Sequence, residues 1–210
     1  KNTFTKDHYD FKGWSNSPSN HNVIYADEDM VKVNHPEVIG GNILNLYAVW
    51  EIQKYTVEFV NGNETTTQTI EYGGTVQLPE APDKVGYTFA GWYTEGGQQW
   101  QEETTVDQNI KLYAKYEPIT YSIEFDGNGA DNGNAMDSSK LDVKYNEQAT
   151  LPENLFTKKY HTFKGWSTTQ NGEVTFIDQA NVYELSSNHG DVVRLYAVWE
   201  RNQVEVTVKD

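Results

Sequence analysis

The 210-residue sequence contains no cysteine, which removes disulfides, thiolate nucleophiles and Cys-ligated zinc together. Small extracellular domains are often disulfide-dense, so a cysteine-free chain of this kind points to a bacterial exterior more readily than to an animal one. Methionine is nearly absent, at two residues, and basic side chains are scarce: 16 Lys and Arg against 31 Asp and Glu, a net charge of −15. A nucleic-acid binder needs a basic footprint for phosphates. Nucleic acid is therefore not an expected partner, and the acidic balance favours a soluble monomer. No stretch approaches the roughly 18 apolar residues that cross a membrane, so no membrane insertion is expected. No signal peptide is visible, and a chain beginning at Lys1 reads as a mature or excised piece.

Aromatic residues are abundant, with 14 Tyr, 8 Phe and 6 Trp, enough to build the cores of small modules. They recur in order. An aromatic-x-Gly-Trp signature stands at Phe11-Lys12-Gly13-Trp14, Phe89-Ala90-Gly91-Trp92 and Phe163-Lys164-Gly165-Trp166. Each is followed by a second signature: Leu46-Tyr47-Ala48-Val49-Trp50, Leu112-Tyr113-Ala114-Lys115-Tyr116 and Leu195-Tyr196-Ala197-Val198-Trp199. Five residues beyond each closing aromatic an alternating segment begins: Tyr55-Thr56-Val57-Glu58-Phe59, Tyr121-Ser122-Ile123-Glu124-Phe125 and Val204-Glu205-Val206-Thr207-Val208. Ordered self-similarity of this kind marks tandem repeats.

The organisation that follows is a partial repeat lacking its first strand (1–53), a compact complete repeat (54–118), a loop-extended complete repeat (119–201) and the first strand of a following repeat or domain (202–210). The extra length of 119–201 falls after Phe125 and between Trp166 and Leu195, which marks both as surface loops. The period of two in Tyr55–Phe59 puts Tyr55, Val57 and Phe59 on one face. Leu46, Ala48 and Trp50 likewise share a face, and Lys115 at the place of Val49 suggests that the opposite face is only partly covered. The Gly of each Phe-x-Gly-Trp reads as a point where the backbone turns or is closely approached. Gly73-Gly74, Gly96-Gly97, Asn61-Gly62 and Asn171-Gly172 are turn signals. The fold class expected is mainly β, α+β at most; the acidic stretches Asp27–Val33 and Asp178–Leu185 are the only helix candidates, of one or two turns each.

Tyr55-Thr56-Val57-Glu58-Phe59, the Gly-rich turn, the Leu-Pro pairs at Pro79 and Pro152, Gly86-Tyr87-Thr88-Phe89-Ala90-Gly91-Trp92 and Leu112-Tyr113-Ala114 together resemble the Listeria–Bacteroides repeat. Residues 54–118 resemble its compact internalin-type version, and 119–201 its longer version in surface proteins of Gram-positive gut bacteria. The resemblance implies small β-grasp-like modules in tandem, with Ig-like β-sandwich modules as the alternative. It also implies a secreted or cell-wall-anchored bacterial location, a spacer, stalk or adhesion role, and no catalytic residues. The repeat core that it shares with the strand reading comprises Phe11, Gly13, Trp14, Leu46, Ala48, Trp50, Tyr55, Val57, Phe59, Phe89, Gly91, Trp92, Leu112, Tyr116, Phe125, Phe163, Gly165, Trp166, Leu195 and Trp199.

Candidate chemistry is thin. The stretch Asp126–Asn134 suggests a calcium loop, but Ala130 and Asp131 occupy places where an EF-hand-like loop needs an oxygen ligand and a Gly, so a turn-rich hairpin loop accounts for it better. His8, His21, His35, His161 and His189 lack metal-ligand spacing. Glu102-Glu103 and Asp27-Glu28-Asp29 fit a solvated acidic face better than glycosidase carboxylates. Ser138, Ser139 and Ser167 have no nucleophile-elbow context. No catalytic residue, metal or cofactor is expected. Trp100 and Tyr93, peculiar to the second repeat, are the speculative ligand-binding residues, since exposed aromatics stack on sugars; Tyr25 and Phe176 stand at the counterpart positions of Trp100. The expected function is a non-enzymatic spacer and adhesion region, with a carbohydrate-binding module of a polysaccharide-degrading protein as the alternative. The expected partner is a host or neighbouring-cell surface protein or glycan, the chain being a monomer with strand exchange between fragments left open.

Overall fold

The computed structural model describes residues 1–30 and 43–208. His35, positions 31–33 of the first helix candidate and Lys209-Asp210 lie outside them. The strands are β1 (Tyr9–Ser15), β2 (Tyr47–Ile52), β3 (Lys54–Asn61), β4 (Glu64–Glu71), β5 (Tyr87–Thr94), β6 (Ile110–Pro118), β7 (Thr120–Asp126), β8 (Leu141–Lys144), β9 (Ala149–Thr150), β10 (His161–Ser167), β11 (Asn181–Val182) and β12 (Val192–Arg201). No helix is present among the described residues. The protein is all-β.

The chain divides into two compact units, Lys1–Glu80 with Gly91–Ala114, and Ala81–Ala90 with Lys115–Asp210. In the second unit the sheet order is β10-β12-β7-β8, with β12 and β7 parallel and the outer pairs antiparallel. The sheet β4-β3-β6-β5 has the same plan, with β3 and β6 as its parallel centre. A mixed sheet with a parallel central pair is the β-grasp-like order; the Ig-like alternative, two packed antiparallel sheets, does not fit it. Among the described residues the first repeat contributes the antiparallel pair β1-β2 and an isolated bridge between Trp14 and Tyr25.

Neither helix candidate forms in its described part. Gln179 and Glu184 have φ of 55° and 51°, and Glu28 has 62°. Left-handed residues break a right-handed helix, and Asn181–Val182 instead pairs with β9.

The signature glycines are explained by a bulge. In β1 and β10 the register slips between Phe11 and Gly13 and between Phe163 and Gly165. Gly13, Gly91 and Gly165 take φ of 147°, 120° and 146°. A Cβ on Gly13 would stand 2.7 Å from the Tyr25 carbonyl, and one on Gly165 would overlap the Phe176 carbonyl. The bulge turns the following Trp inward. Trp166 is fully buried, edge-on to Phe125 at 4.9 Å and to Phe163 at 5.0 Å, in a core with Tyr121, Ile123, Leu151 and Leu195. Trp92 is buried beside Phe59 at 5.0 Å in the first unit. Val49, expected on a partly covered face, is buried, whereas Lys115 at the equivalent place is exposed.

Candidate functional site

The aromatic pair singled out as a ligand platform sits on the strand that follows the bulge. The Trp100 amide donates to the Trp92 carbonyl at 2.8 Å, as Tyr25 does to Trp14 at 3.2 Å and Phe176 to Trp166 at 3.0 Å. Trp100 therefore occupies the place of Tyr25 and Phe176, on the core side of its sheet, half-buried with its indole nitrogen buried. Tyr93 bridges to Gln99, one residue out of phase with the Trp92–Trp100 pair, and so points to the opposite face. The two rings do not converge on one surface.

The residues singled out for chemistry are likewise dispersed. Asp126 accepts the Asn128 amide at 2.8 Å in an Asx turn, and Asn128 donates to the carbonyls of Gln170 and Ala197, so the loop's side chains brace a turn. Ser167 is buried and its hydroxyl accepts the Thr169 amide. Glu102 and Glu103 border a shallow groove with Thr75, Val76 and Gln77. His8 stacks on Tyr72, His161 contacts the Lys159 carbonyl and His189 lies by Thr120. Among the described residues no three His, Asp or Glu side chains gather as metal ligands.

The most built feature stands at the short links Glu51–Lys54, Glu117–Thr120 and Glu200–Gln203, between each closing aromatic signature and the next alternating segment. The Gln53 amide donates to the His8 carbonyl at 2.9 Å, and the Gln53 carbonyl accepts the Tyr72 amide at 2.8 Å. Ile119 repeats both bonds, donating to Gly86 at 2.9 Å and accepting from Tyr145 at 2.8 Å. Asn202 repeats the first, to Tyr160 at 2.8 Å. His8, Gly86 and Tyr160 all have left-handed backbones, with φ of 63°, 76° and 59°. Rings close two of these joints: His8 lies parallel to Tyr72 at 3.5 Å, and Tyr145 covers the Cα of Gly86. Burial is the leading cause, ahead of the neighbouring Glu184, that raises the Tyr145 phenol above its ordinary pKa.

A second feature is a groove of about 540 Å³ in the first repeat, lined among the described residues by Phe4, Trp14, Leu46, Ala48 and Trp50.

The Listeria-Bacteroides repeat domain family matches the chain three times, over residues 1–48, 55–115 and 121–198. The chain belongs to the Listeria-Bacteroides repeat family. Two Evansella cellulosilytica proteins resemble it. One, provisionally named a Gly-rich membrane protein, is 33% identical over 94% of this chain and 21% of its own length. The other, provisionally named a membrane protein, is 32% identical over 77% of this chain and 24% of its own length. Internalin H of Listeria monocytogenes is 30% identical over 61% of this chain and 24% of its own length. The chain thus spans under a quarter of the length of each of these relatives. Its family is one of bacterial surface repeat domains, and the described site geometry is that of repeat joints and an apolar groove in the first repeat.

Proposed function

We propose that these Listeria-Bacteroides repeats form a non-catalytic spacer and adhesion region of a secreted or wall-anchored protein of a Gram-positive-type bacterium. The observation that carries this reading is the repeated joint: Gln53 and Ile119 are hydrogen-bonded to the repeats on either side through the same backbone atoms, and Asn202 repeats one of the two bonds. A region built to set distance needs such links more than it needs a pocket. Its contacts with a host or neighbouring-cell protein or glycan are weak singly and gain strength by multiplicity. The internalin and membrane-protein names of its relatives support a surface setting.

The test compares the soluble chain with the same chain displayed densely on beads. No saturable binding is expected from the soluble chain on glycan arrays or host-cell extracts up to about 100 μM, a weak-affinity limit; clustered beads are expected to adhere. Low-micromolar binding of the soluble chain to one glycan, abolished by Trp100→Ala or Tyr93→Ala, would replace this reading with a carbohydrate-binding module.

A further inference from the structure

Tension along a tandem array enters each repeat through the link before its first strand and leaves through the link after its last. In the third repeat those strands are β7 and β12, which lie side by side and parallel, from Ser122 opposite Val192 to Asp126 opposite Tyr196. In the second repeat they are β3 and β6, parallel from Val57 opposite Ile110 to Val60 opposite Tyr113. Such a pair has its entry and its exit at opposite ends of the ladder, so a pull on the chain slides one strand along the other. The evenly spaced bonds of the parallel ladder then carry the load together. An antiparallel hairpin pulled at its open end gives way one pair at a time.

We propose that each complete repeat is a tension-bearing module, its parallel terminal pair acting as a clamp loaded in shear. Both strands of each pair are central in their sheets, in the orders β10-β12-β7-β8 and β4-β3-β6-β5, so each is also bonded on its outer side. The entry and exit of the third repeat are pinned as well. The Ile119 carbonyl accepts the Tyr145 amide at 2.8 Å just past β8, and the Asn202 amide donates to Tyr160 at 2.8 Å just before β10. Two further bonds extend the ladder at its entry, Ser122 to Asp191 at 2.9 Å and Gly190 to Thr120 at 2.8 Å.

Side chains guard the ladder on both faces. One face is core: Ile123, Phe125 and Leu195 are buried, as are Val57, Phe59 and Leu112. A hydrogen bond shielded from water is electrostatically stronger, and on that side no water stands ready to take over a strained one. On the other face an ion pair crosses the ladder at the same register step in each repeat, Glu124 with Arg194 at 3.2 Å and Glu58 with Lys111 at 2.9 Å. Surface pairs add little singly, so the half-shielded ladder supplies most of the resistance. Such resistance goes beyond the spacer and adhesion reading and stands whether or not the chain binds a partner.

Because the chain lacks cysteine, handles can be attached through thiols at chosen exposed positions and the full chain pulled with optical tweezers in two directions. Glu117→Cys with Gln203→Cys loads the β7–β12 ladder from opposite ends, and Glu117→Cys with Ser187→Cys loads it from one end; all three positions are exposed. The first direction is expected to need several-fold the force of the second. Five register pairs share the load in one case and part singly in the other, and forced unfolding reads that barrier directly. The high-force event should lengthen the chain by about 250–300 Å, the extended reach between the handles less the folded span. Urea midpoints of the two double variants should agree, so that the contrast is one of direction. Equal forces in the two directions, a contrast no larger than a difference in urea stability explains, or a much shorter high-force event overturns the proposal.

Discussion

At the residue scale the signature glycine decides more than the aromatics beside it. Gly165 sits at φ 146° with the Phe176 carbonyl where a Cβ would be, while Gly62, at φ 60° in the β3–β4 turn, has nothing within 4 Å of that point. Both positions disfavour a side chain, but only the first also has backbone in the way. Gly165→Ala is therefore expected to cost about 3 kcal/mol, combining strain with a shift of the neighbouring strand. Gly62→Ala should cost only about 1 kcal/mol, the penalty of a left-handed alanine. Urea unfolding followed by Trp fluorescence separates the two. The sequence shows that this glycine is a point of turning or close approach, because it recurs between Phe and Trp. It does not show what comes close: Gly13 and Gly165 are met by the main-chain carbonyls of Tyr25 and Phe176, whereas Gly91 is met by the Gln99 side chain.

At the element scale the parallel pair β7–β12 is set by the turn before it. The Ser122 amide donates to the Asp191 carbonyl at 2.9 Å, and the Gly190 amide to Thr120 at 2.8 Å. The Asp191 carboxylate accepts the Ser186 hydroxyl at 2.6 Å and the Asn188 amide at 3.1 Å. These bonds, that of Ser186 first, hold its carboxyl below the ordinary value. A carboxyl lowered by folding adds stability above its unfolded pKa and loses it as pH falls through the lowered folded value. Asp191→Asn is accordingly expected to melt below the parent at pH 7 and to converge with it on acidification to below about pH 3, a trend that calorimetry from pH 7 downward resolves. Strands such as β3 and β7 are legible in the sequence because apolar residues alternate in them and recur between copies. β4 is legible only through its Asn61-Gly62 turn, since its Thr-rich segment lies mostly in water. The acidic stretches suggest helix by default, but left-handed turns between short bridges carry no periodicity to reveal them.

At the scale of the whole chain the repeats are joined by a device that side-chain patterns conceal. His8, Gly86 and Tyr160 share no side-chain chemistry; what they share is a positive φ that aims a carbonyl at the next link. Repeat number and order are thus readable from the motifs, whereas the joint is readable only from the backbone. Gly86 offers the sharpest test, because the Tyr145 ring covers its Cα and its carbonyl accepts the Ile119 amide, while Ile119 in turn accepts the Tyr145 amide. A Cβ there would drive the ring away and expose the Ile119 and Tyr145 amides. Gly86→Val is expected to speed hydrogen exchange at those two amides by at least about tenfold, equivalent to about 1.4 kcal/mol of local opening. The matched control is Gly62→Val, with a similar φ but open space around it; it should leave both amides unchanged. Equal acceleration in the two variants would mean that backbone strain alone, and not the ring seated on the link, governs the joint. In the Gly86→Val variant the Trp166 core should keep its slow exchange, so that loosening of the link is distinguished from loss of the fold.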